Sequence, residues 1–446
     1  MEIEVPAAPA EPIAVTLEAD FGADRMIRMA RSIVGAYAPL RSGGAVSDVR
    51  GWGPDGAPVP IALLGADTWR AAGPLRRLAW RVDGERSEDV QESLAASVHR
   101  RVGYTFLNGA ALFLRVEGSA RRAHRVRLRL PAGWRVAWAL REEPGGTWLA
   151  SDLFELIDEP AMLGTAFRSE PAAPALMVHV HSDGPDGPDV HVKALAEAAR
   201  LGLKAVESLR LPPLGPPYHV FFELYGAGTP QRLGWAQEHG FSFHGVDAAG
   251  GTRELTPGLA YHFAHHMLHA WLPRRLFTDR LRPDRQLEGA PTAAIWFAEG
   301  FAQYLALVGL ARTGAFGRED ALARMQLRFG RPVREAAPGE PISLAALSLR
   351  LCGGDHAHWA YEYGAGALLA AWIDQRLAEA KLPDLAAVTP RLLDWCRDHP
   401  DGIPEERFDQ VFREVSGLDV TDLFERYVRG TVRVPVDEVL KGFGTR

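Results

Sequence analysis

Four histidines lie within eight residues in the segment HFAHHMLH: His262, His265, His266 and His269. His265 and His269 are four residues apart, so on a helix both imidazoles lie on one face and can hold one metal ion. A pair with this spacing is often only a surface feature. Four histidines on an otherwise apolar helix are harder to explain in this way, because buried histidines without partners are costly, and spacing alone leaves metal binding open. His262 and His266 have the same spacing, and spacing does not choose between the pairs.

A third metal ligand is available further along the chain. A catalytic zinc usually takes three protein ligands and leaves one position open for water. Glu299, in the segment IWFAEGFAQYLA, lies 34 residues after His265 on a predicted second helix. A carboxylate there would complete a set of two histidines and one glutamate.

The elements that must position these residues change character along the chain. Up to about residue 165 the sequence reads mostly as strands. It contains two predicted hairpins, at Asn108-Gly109 and around the turn in HRVRLRLPAGWRVAWAL. The segment ADRMIRMARSIVGAYAPL is predicted as a short helix. From about Gly258, apolar residues at i, i+3 and i+4 predict helices. The predicted fold class is therefore α+β, with a β-rich N-terminal part, a mixed segment and a helical half.

The bulk composition limits the possible functions. The chain has 446 residues, of which 47% are hydrophobic, and a net charge of −6. Acidic residues outnumber basic ones, which argues against nucleic-acid binding. The two cysteines, Cys352 and Cys396, are predicted to be inert thiols. We expect a cytoplasmic protein that does not cross a membrane, because no signal-peptide pattern and no long apolar run occur.

The zinc segments resemble the glycyl aminopeptidase family, zinc metallopeptidases of the thermolysin-like gluzincin clan. The family pattern is roughly H-E-x-x-H-x-W-N-x-K-R, followed after a loop by W-x-x-E-G-x-T-x-Y. The matching residues are His265, His269, Trp271, Arg275, Trp296, Glu299, Gly300 and Tyr304. The resemblance selects the His265 and His269 register. It implies that Zn²⁺ is held by these two histidines and Glu299.

The resemblance extends over most of the chain and implies further roles. LGWAQEHGFSF is similar to the family segment G-G-x-E-H, which places Glu238 and His239 in the substrate cleft, with Glu238 near the free amine of a peptide. YEYGAGALLAAWIDQRL is similar to Y-Y-x-K-G-A-L, which makes Tyr363 the oxyanion donor. The implied domains are a sandwich-like β domain (1–165), a thermolysin-like catalytic domain (166–340) and a helical subdomain (341–446). Many members carry a PDZ domain, and we expect none in this chain, whose sequence runs to Arg446.

The chain departs from the family at the position of the general base. His266 stands where the family has the glutamate that accepts the proton of the attacking water. A positioned general base contributes about 10²–10⁴ in rate. A neutral histidine there leaves the site with one more positive charge, which lowers the pKa of His266 and weakens it as an acceptor. Leu272 and Ala302 replace a family asparagine and a family threonine.

Three functions remain open at this stage. The first is a zinc aminopeptidase with His266 as substitute base and peptides as substrates. The second is a non-catalytic relative that keeps zinc and the cleft to bind peptides or proteins. The third is a remnant of the family fold without a metal. One further pair has the spacing of metal ligands: His179 and His181 lie on one face of a strand. We interpret that face as exposed to solvent.

Overall fold

The N-terminal part of the chain is built almost entirely of strands. The computed structural model describes residues 1–21, 25–32, 35, 37, 39–90, 96–118, 120–183, 187–213, 218–225, 232–236, 240–246 and 256–444. The strands of this part are β1 (Glu2–Glu4), β2 (Ile13–Glu18), β3 (Met26–Arg28), β4 (Val46–Trp52), β5 (Pro58–Val59), β6 (Ile61–Gly65), β7 (Thr68–Ala71), β8 (Arg77–Val82), β9 (His99–Arg101), β10 (Tyr104–Leu107), β11 (Arg115–Val116), β12 (His124–Arg129), β13 (Arg135–Trp138), β14 (Arg141–Glu143), β15 (Thr147–Ala150) and β16 (Ala161–Gly164). Three short helices accompany them: α1 (Gly84–Val90), α2 (Gly109–Leu112) and α3 (Leu153–Asp158).

These strands form three sheets around one core. An eight-stranded sheet has the order β14-β15-β12-β1-β2-β8-β4-β5, and two four-stranded sheets have the orders β13-β16-β10-β9 and β11-β3-β7-β6. In β2, Ile13, Val15 and Leu17 point inward while the residues between them do not, which is the period of two expected for a strand covered on one face. The β-rich character of this part is confirmed.

Three local predictions in this part are wrong. Asn108 does not begin a hairpin turn; its side chain accepts a hydrogen bond from Ala110 N at 2.9 Å and caps α2. β12 and β13, the arms of the second predicted hairpin, lie in different sheets. Within the segment predicted as a helix, residues 26–28 form β3, which pairs with β7. In the last two cases pairing with distant strands overrode the local signal.

A five-stranded sheet follows and separates the two halves of the molecule. Its strands are β17 (Arg168–Ala173), β18 (Leu176–Ser182), β19 (Tyr218–Tyr225), β20 (Arg232–Ala236) and β21 (Gly240–Val246), in the order β17-β18-β19-β21-β20. Val220 and Phe222 of β19 face the helical core, whereas Phe221 packs against residues of the N-terminal part, including Tyr104. The central strands are therefore covered on both faces.

Polar residues fill the junction between this sheet and the N-terminal part. Glu223 is fully buried and accepts hydrogen bonds from His99 Nε2 at 2.6 Å, Tyr104 at 2.7 Å and Tyr225 at 2.9 Å. Burial, and after it the charge of Glu223, raises the pKa of Tyr104 well above its usual value. This network joins β9, β10 and β19 across the junction.

The pair His179 and His181 lies in the same junction. His179 is only 4% exposed and His181 only 2%. His179 is within hydrogen-bonding distance of Ser169 Oγ (2.8 Å) and His219 Nδ1 (2.9 Å), and His181 stacks on Tyr104 with ring centroids 3.7 Å apart. The interpretation of this strand face as solvent-exposed is wrong, because the N-terminal part covers it.

The second half of the chain is helical and shares one continuous core. Its helices are α4 (Gly187–Ser208), α5 (Thr256–Leu268), α6 (Pro283–Leu287), α7 (Ile295–Arg312), α8 (Arg318–Met325), α9 (Arg331–Glu335), α10 (Leu344–Cys352), α11 (Trp359–Glu379), α12 (Leu385–Asp398), α13 (Phe408–Ser416), α14 (Thr421–Leu423) and α15 (Val436–Gly444). The predicted α+β fold class is confirmed. The domain boundaries at residues 165 and 340 stay predictions, and none of the described helices is long and apolar enough to cross a membrane.

Helices α7 and α11 cross in very close contact. A Cβ atom added to Gly300 would lie 2.3 Å from the carbonyl carbon of Gly366, and one added to Gly366 would lie 2.1 Å from the carbonyl oxygen of Trp296. Only glycine therefore fits at either position. A hydrogen bond of 2.7 Å from the Tyr304 hydroxyl to Asp374 ties the same two helices together. The crossing sets the positions of Glu299 on α7 and Tyr363 on α11.

Candidate metal centre

The end of α5 brings the two predicted histidine ligands to one face. α5 ends at Leu268, and His269 lies in the tighter turn that follows, where its amide donates to the His266 carbonyl at 3.1 Å. The rings of His265 and His269 are 4.6 Å apart between centroids. Both residues are buried, at 8% and 3% exposure, because Ala264, Leu268 and their neighbours anchor the helix in the core.

Glu299 in the second turn of α7 completes a compact triad. The Nε2 atoms of His265 and His269 are 3.2 Å apart, and they lie 3.4 and 3.5 Å from Glu299 Oε2. Ligands about 2.0–2.1 Å from a tetrahedral zinc ion are separated by roughly 3.3 Å. The three distances therefore match one face of a zinc tetrahedron. Among the described residues this is the one cluster of three or more histidine, cysteine or acidic side chains that could hold a metal.

The surroundings of the triad orient its ligand atoms. His269 Nδ1 donates to the Leu272 carbonyl at 2.7 Å, which leaves the Nε2 lone pair directed at Glu299. Burial alone would raise the pKa of Glu299, but His269 and His265 outweigh it and hold the pKa well below its usual value. Burial lowers the pKa of His265, so this imidazole is neutral near pH 7. A neutral imidazole and a carboxylate are the forms in which histidine and glutamate bind zinc.

His266, at the position of the missing base, is adjacent to the triad. Its Nδ1 donates to the His262 carbonyl at 2.8 Å, which leaves Nε2 as the proton-accepting atom. Its ring is 5.1 Å from the ring of His265 and 6.2 Å from that of His269. The pKa of His266 is held well below its usual value, mainly by burial and secondly by the neighbouring histidines. His266 is therefore a weak proton acceptor in this environment.

Tyr363 lies in the first turns of α11, on the Glu299 side of the site. Burial raises its pKa well above the usual value, and the carboxylate of Glu299 raises it further. Its phenol therefore stays protonated and can donate a hydrogen bond. Trp359 packs edge-on against the Tyr363 ring, with centroids 5.5 Å apart.

One residue of the site was not found from the sequence. Tyr37, from the N-terminal part, is only 4% exposed and packs in the core of the helical half. Its backbone is left-handed, with φ of +49°, which is uncommon for an aromatic residue and typical of functional or strained positions. Burial raises the pKa of Tyr37, and the charge of Glu299 raises it further, so its phenol is a neutral group beside the triad. No motif around Tyr37 indicates this contact.

The structure brings together five of the predicted site residues. His265, His269 and Glu299 converge, with His266 and Tyr363 beside them. The predicted substrate-binding residues Glu238 and His239 lie outside the described residues.

Comparison with known proteins places this arrangement in a class. A sequence model of the Peptidase M61 N-terminal domain matches residues 1–165, and a model of the M61 glycyl aminopeptidase matches residues 259–362. Together they cover more than half of the chain. No curated protein matches the sequence. The fold and the triad are those of a zinc metallopeptidase, and the chain belongs to the M61 glycyl aminopeptidase family.

Solved structures support the fold assignment. An aminopeptidase N family protein from Idiomarina loihiensis is similar over 99% of this chain and 77% of its own, with 17% identity and a TM-score of 0.78. The yeast LTA4 hydrolase is similar over 98% and 68%, with 11% identity and a TM-score of 0.58. The M1 zinc metallopeptidase from Deinococcus radiodurans is similar over 99% and 92%, with 14% identity and a TM-score of 0.54. At these identities the likeness concerns the fold alone.

Proposed function

We propose that this protein is a zinc-dependent aminopeptidase of reduced rate, in which His266 takes the place of the general base. The observation that carries the proposal is the spacing of His265, His269 and Glu299, whose ligand atoms lie 3.2–3.5 Å from one another. Family membership points to peptide substrates. Glu238 and His239 are proposed to bind the amino end of the peptide, and a cytoplasmic location remains part of the proposal.

The reaction would be divided among a few side chains. His265, His269 and Glu299 would hold Zn²⁺, which when bound polarises the scissile carbonyl and acidifies water. Nε2 of His266 would accept the proton of the attacking water and return it to the leaving amine. The protonated phenol of Tyr363 would donate a hydrogen bond to the oxygen that becomes negatively charged. The low proton affinity of His266 limits the rate of the first proton transfer.

A second candidate function is peptide or protein binding without turnover. It is favoured by the same depressed pKa of His266, since a histidine that resists protonation can fail entirely as a base. In this case the zinc site and the cleft persist while hydrolysis is lost. Both functions require the metal.

Two measurements test the proposal. Metal analysis of the gently purified chain should give about one zinc per chain, because three buried protein ligands bind zinc tightly. The zinc-loaded chain should then release N-terminal residues from a broad peptide library, with small residues such as glycine cleaved fastest. Less than about 0.2 zinc per chain would contradict both functions. Full zinc occupancy without any cleavage would favour the binding function.

A further inference from the structure

Arg328 is a cation beside the zinc-binding helix, and no carboxylate of the described residues pairs with it. Its guanidinium stacks on the ring of Tyr261 at 4.4 Å, and both of its terminal nitrogens lie 3.5 Å from His262 Nε2. Among the described residues it forms no ion pair. Other arginines of the helical half do pair, for example Arg312 with Asp384 and Arg376 with Asp422.

A second positive charge, that of Arg324, lies near Arg328. Arg324, one turn earlier on the same face, lies over the ring of Phe316 at 3.9 Å and forms no ion pair with a described residue. Like charges four residues apart destabilise a helix. Burial, and the charge of Arg324, lower the pKa of Arg328, so the folded chain holds this cation at a cost. Such an uncompensated cation is typical of a site that receives an anion.

The local backbone at Arg328 is also unusual. Residues 326–330 form a π-helical turn between α8 and α9, with Arg328 at its centre. Turns of this kind are rare and occur frequently at functional sites. The wider turn lies against α11, the helix that carries Tyr363, and Arg328 reaches from it to α5.

Arg328 contacts α5 about one helical turn before the first histidine of the triad. His262, its contact on α5, precedes His265 by three residues, which corresponds to a rise of about 4.5 Å along the helix. Burial, with the charge of Arg328, lowers the pKa of His262 to about 3, so His262 is neutral and leaves the guanidinium uncompensated. An extended peptide advances about 3.3–3.6 Å per residue. One or two residues of substrate therefore match this offset along α5.

We propose that Arg328 binds the free α-carboxylate of a short peptide whose scissile carbonyl faces His265, His269 and Glu299. A guanidinium offers two parallel N–H donors that match the two oxygens of a carboxylate. The substrate class is therefore di- and tripeptides with a free C-terminus, rather than long chains. This inference rests on the proposed peptide-binding cleft, but it does not require turnover.

The test compares two non-hydrolysable ligands by titration calorimetry. They are ketomethylene analogues of glycyl-alanine, one ending in a carboxylate and one in a carboxamide, titrated into the full chain with and without one equivalent of zinc. We expect the carboxylate to bind roughly 10- to 100-fold more tightly, as for hydrogen bonds to charged groups. Arg328→Met should bind the two ligands about equally well, and Arg328→Lys should retain part of the preference for the carboxylate.

Arg331→Met is the matched control. Arg331 lies three residues further on and is exposed to solvent, where it pairs with Glu335 at 2.7 Å. This variant should keep the full preference for the carboxylate, and thermal unfolding checks that every variant is folded.

The outcomes separate this inference from the proposed hydrolysis. Equal binding of the two ligands to the native chain, no binding of either, or a preference that survives in Arg328→Met overturns the inference. A chain that prefers the carboxylate but cleaves no peptide contradicts the hydrolysis and supports the subsite. A chain that cleaves peptides but shows no preference supports the hydrolysis and contradicts the subsite.

Discussion

Replacing His266 with glutamate tests the assignment of the weak base directly. In the native chain Nδ1 of His266 donates to the His262 carbonyl, and burial with the neighbouring histidines holds the pKa of the ring well below 6.5. A glutamate at this position would present a carboxylate to the same space, beside two neutral imidazoles. It would also offset one positive charge once zinc is bound.

The size of the effect follows from the value of a positioned base. Such a base contributes about 10²–10⁴ in rate, or roughly 3–5 kcal/mol of activation free energy. Since the proton affinity of His266 is low, it recovers only a small part of this contribution. We therefore expect kcat/KM of His266→Glu to exceed that of the native chain by about 10²-fold or more.

The assay is the release of the chromophore from a glycyl anilide by zinc-loaded protein near pH 7.5. His266→Gln is the control, because glutamine has the length of glutamate but cannot accept the proton; its kcat/KM should be no higher than that of the native chain. The reasoning is refuted if His266→Glu folds and binds zinc but is no more active than His266→Gln.

Three further predictions concern the metal, a buried acid and the helix crossing. His269→Ala should lower zinc content from about one per chain to nearly none, measured by metal analysis, because two remaining ligands hold zinc poorly. Burial raises the pKa of Glu362 to about 8, so its contribution to stability is fully present below about pH 4.5 and is lost as the pH rises through about 8. At pH 9 the free energy of unfolding of Glu362→Gln should therefore exceed that of the native chain by on the order of 3–5 kcal/mol, which raises its unfolding temperature. At pH 4.5 the two proteins should unfold at a similar temperature. Equal dependence of the unfolding temperature on pH in the two proteins would contradict this. Gly366→Ala should lose about 1–3 kcal/mol or more in denaturant unfolding because its Cβ meets the Trp296 carbonyl, whereas Gly258→Ala, with open space around it, should not be destabilised.

The histidine spacing and the later glutamate predicted much of the site. A spacing of four residues on a helix is a local property, so the pairing of His265 with His269 could be predicted from the sequence. The choice of this pair over His262 and His266 depended on the family pattern. The structure agrees with that choice, because Glu299 faces the first pair.

Contacts between distant parts of the chain could not be read in the same way. Tyr37 reaches Glu299 across more than 200 residues, and no periodic pattern encodes such a contact. The strand carrying His179 and His181 alternates like a half-exposed strand, but the N-terminal part covers its second face. The hairpin predicted between β12 and β13 failed for the same reason, since strand partners are chosen by the whole sheet.

The contact between Gly300 and Gly366 has a mechanical consequence. Because backbone meets backbone there, Glu299 and Tyr363 belong to one stiff body, whereas His265 lies on α5 and His269 in the turn that follows it. A metal held by all three ligands is thus a cross-link between two bodies. Its removal should loosen α5 against the α7–α11 pair, and amide hydrogen exchange should accelerate in α5 while staying slow at the crossing.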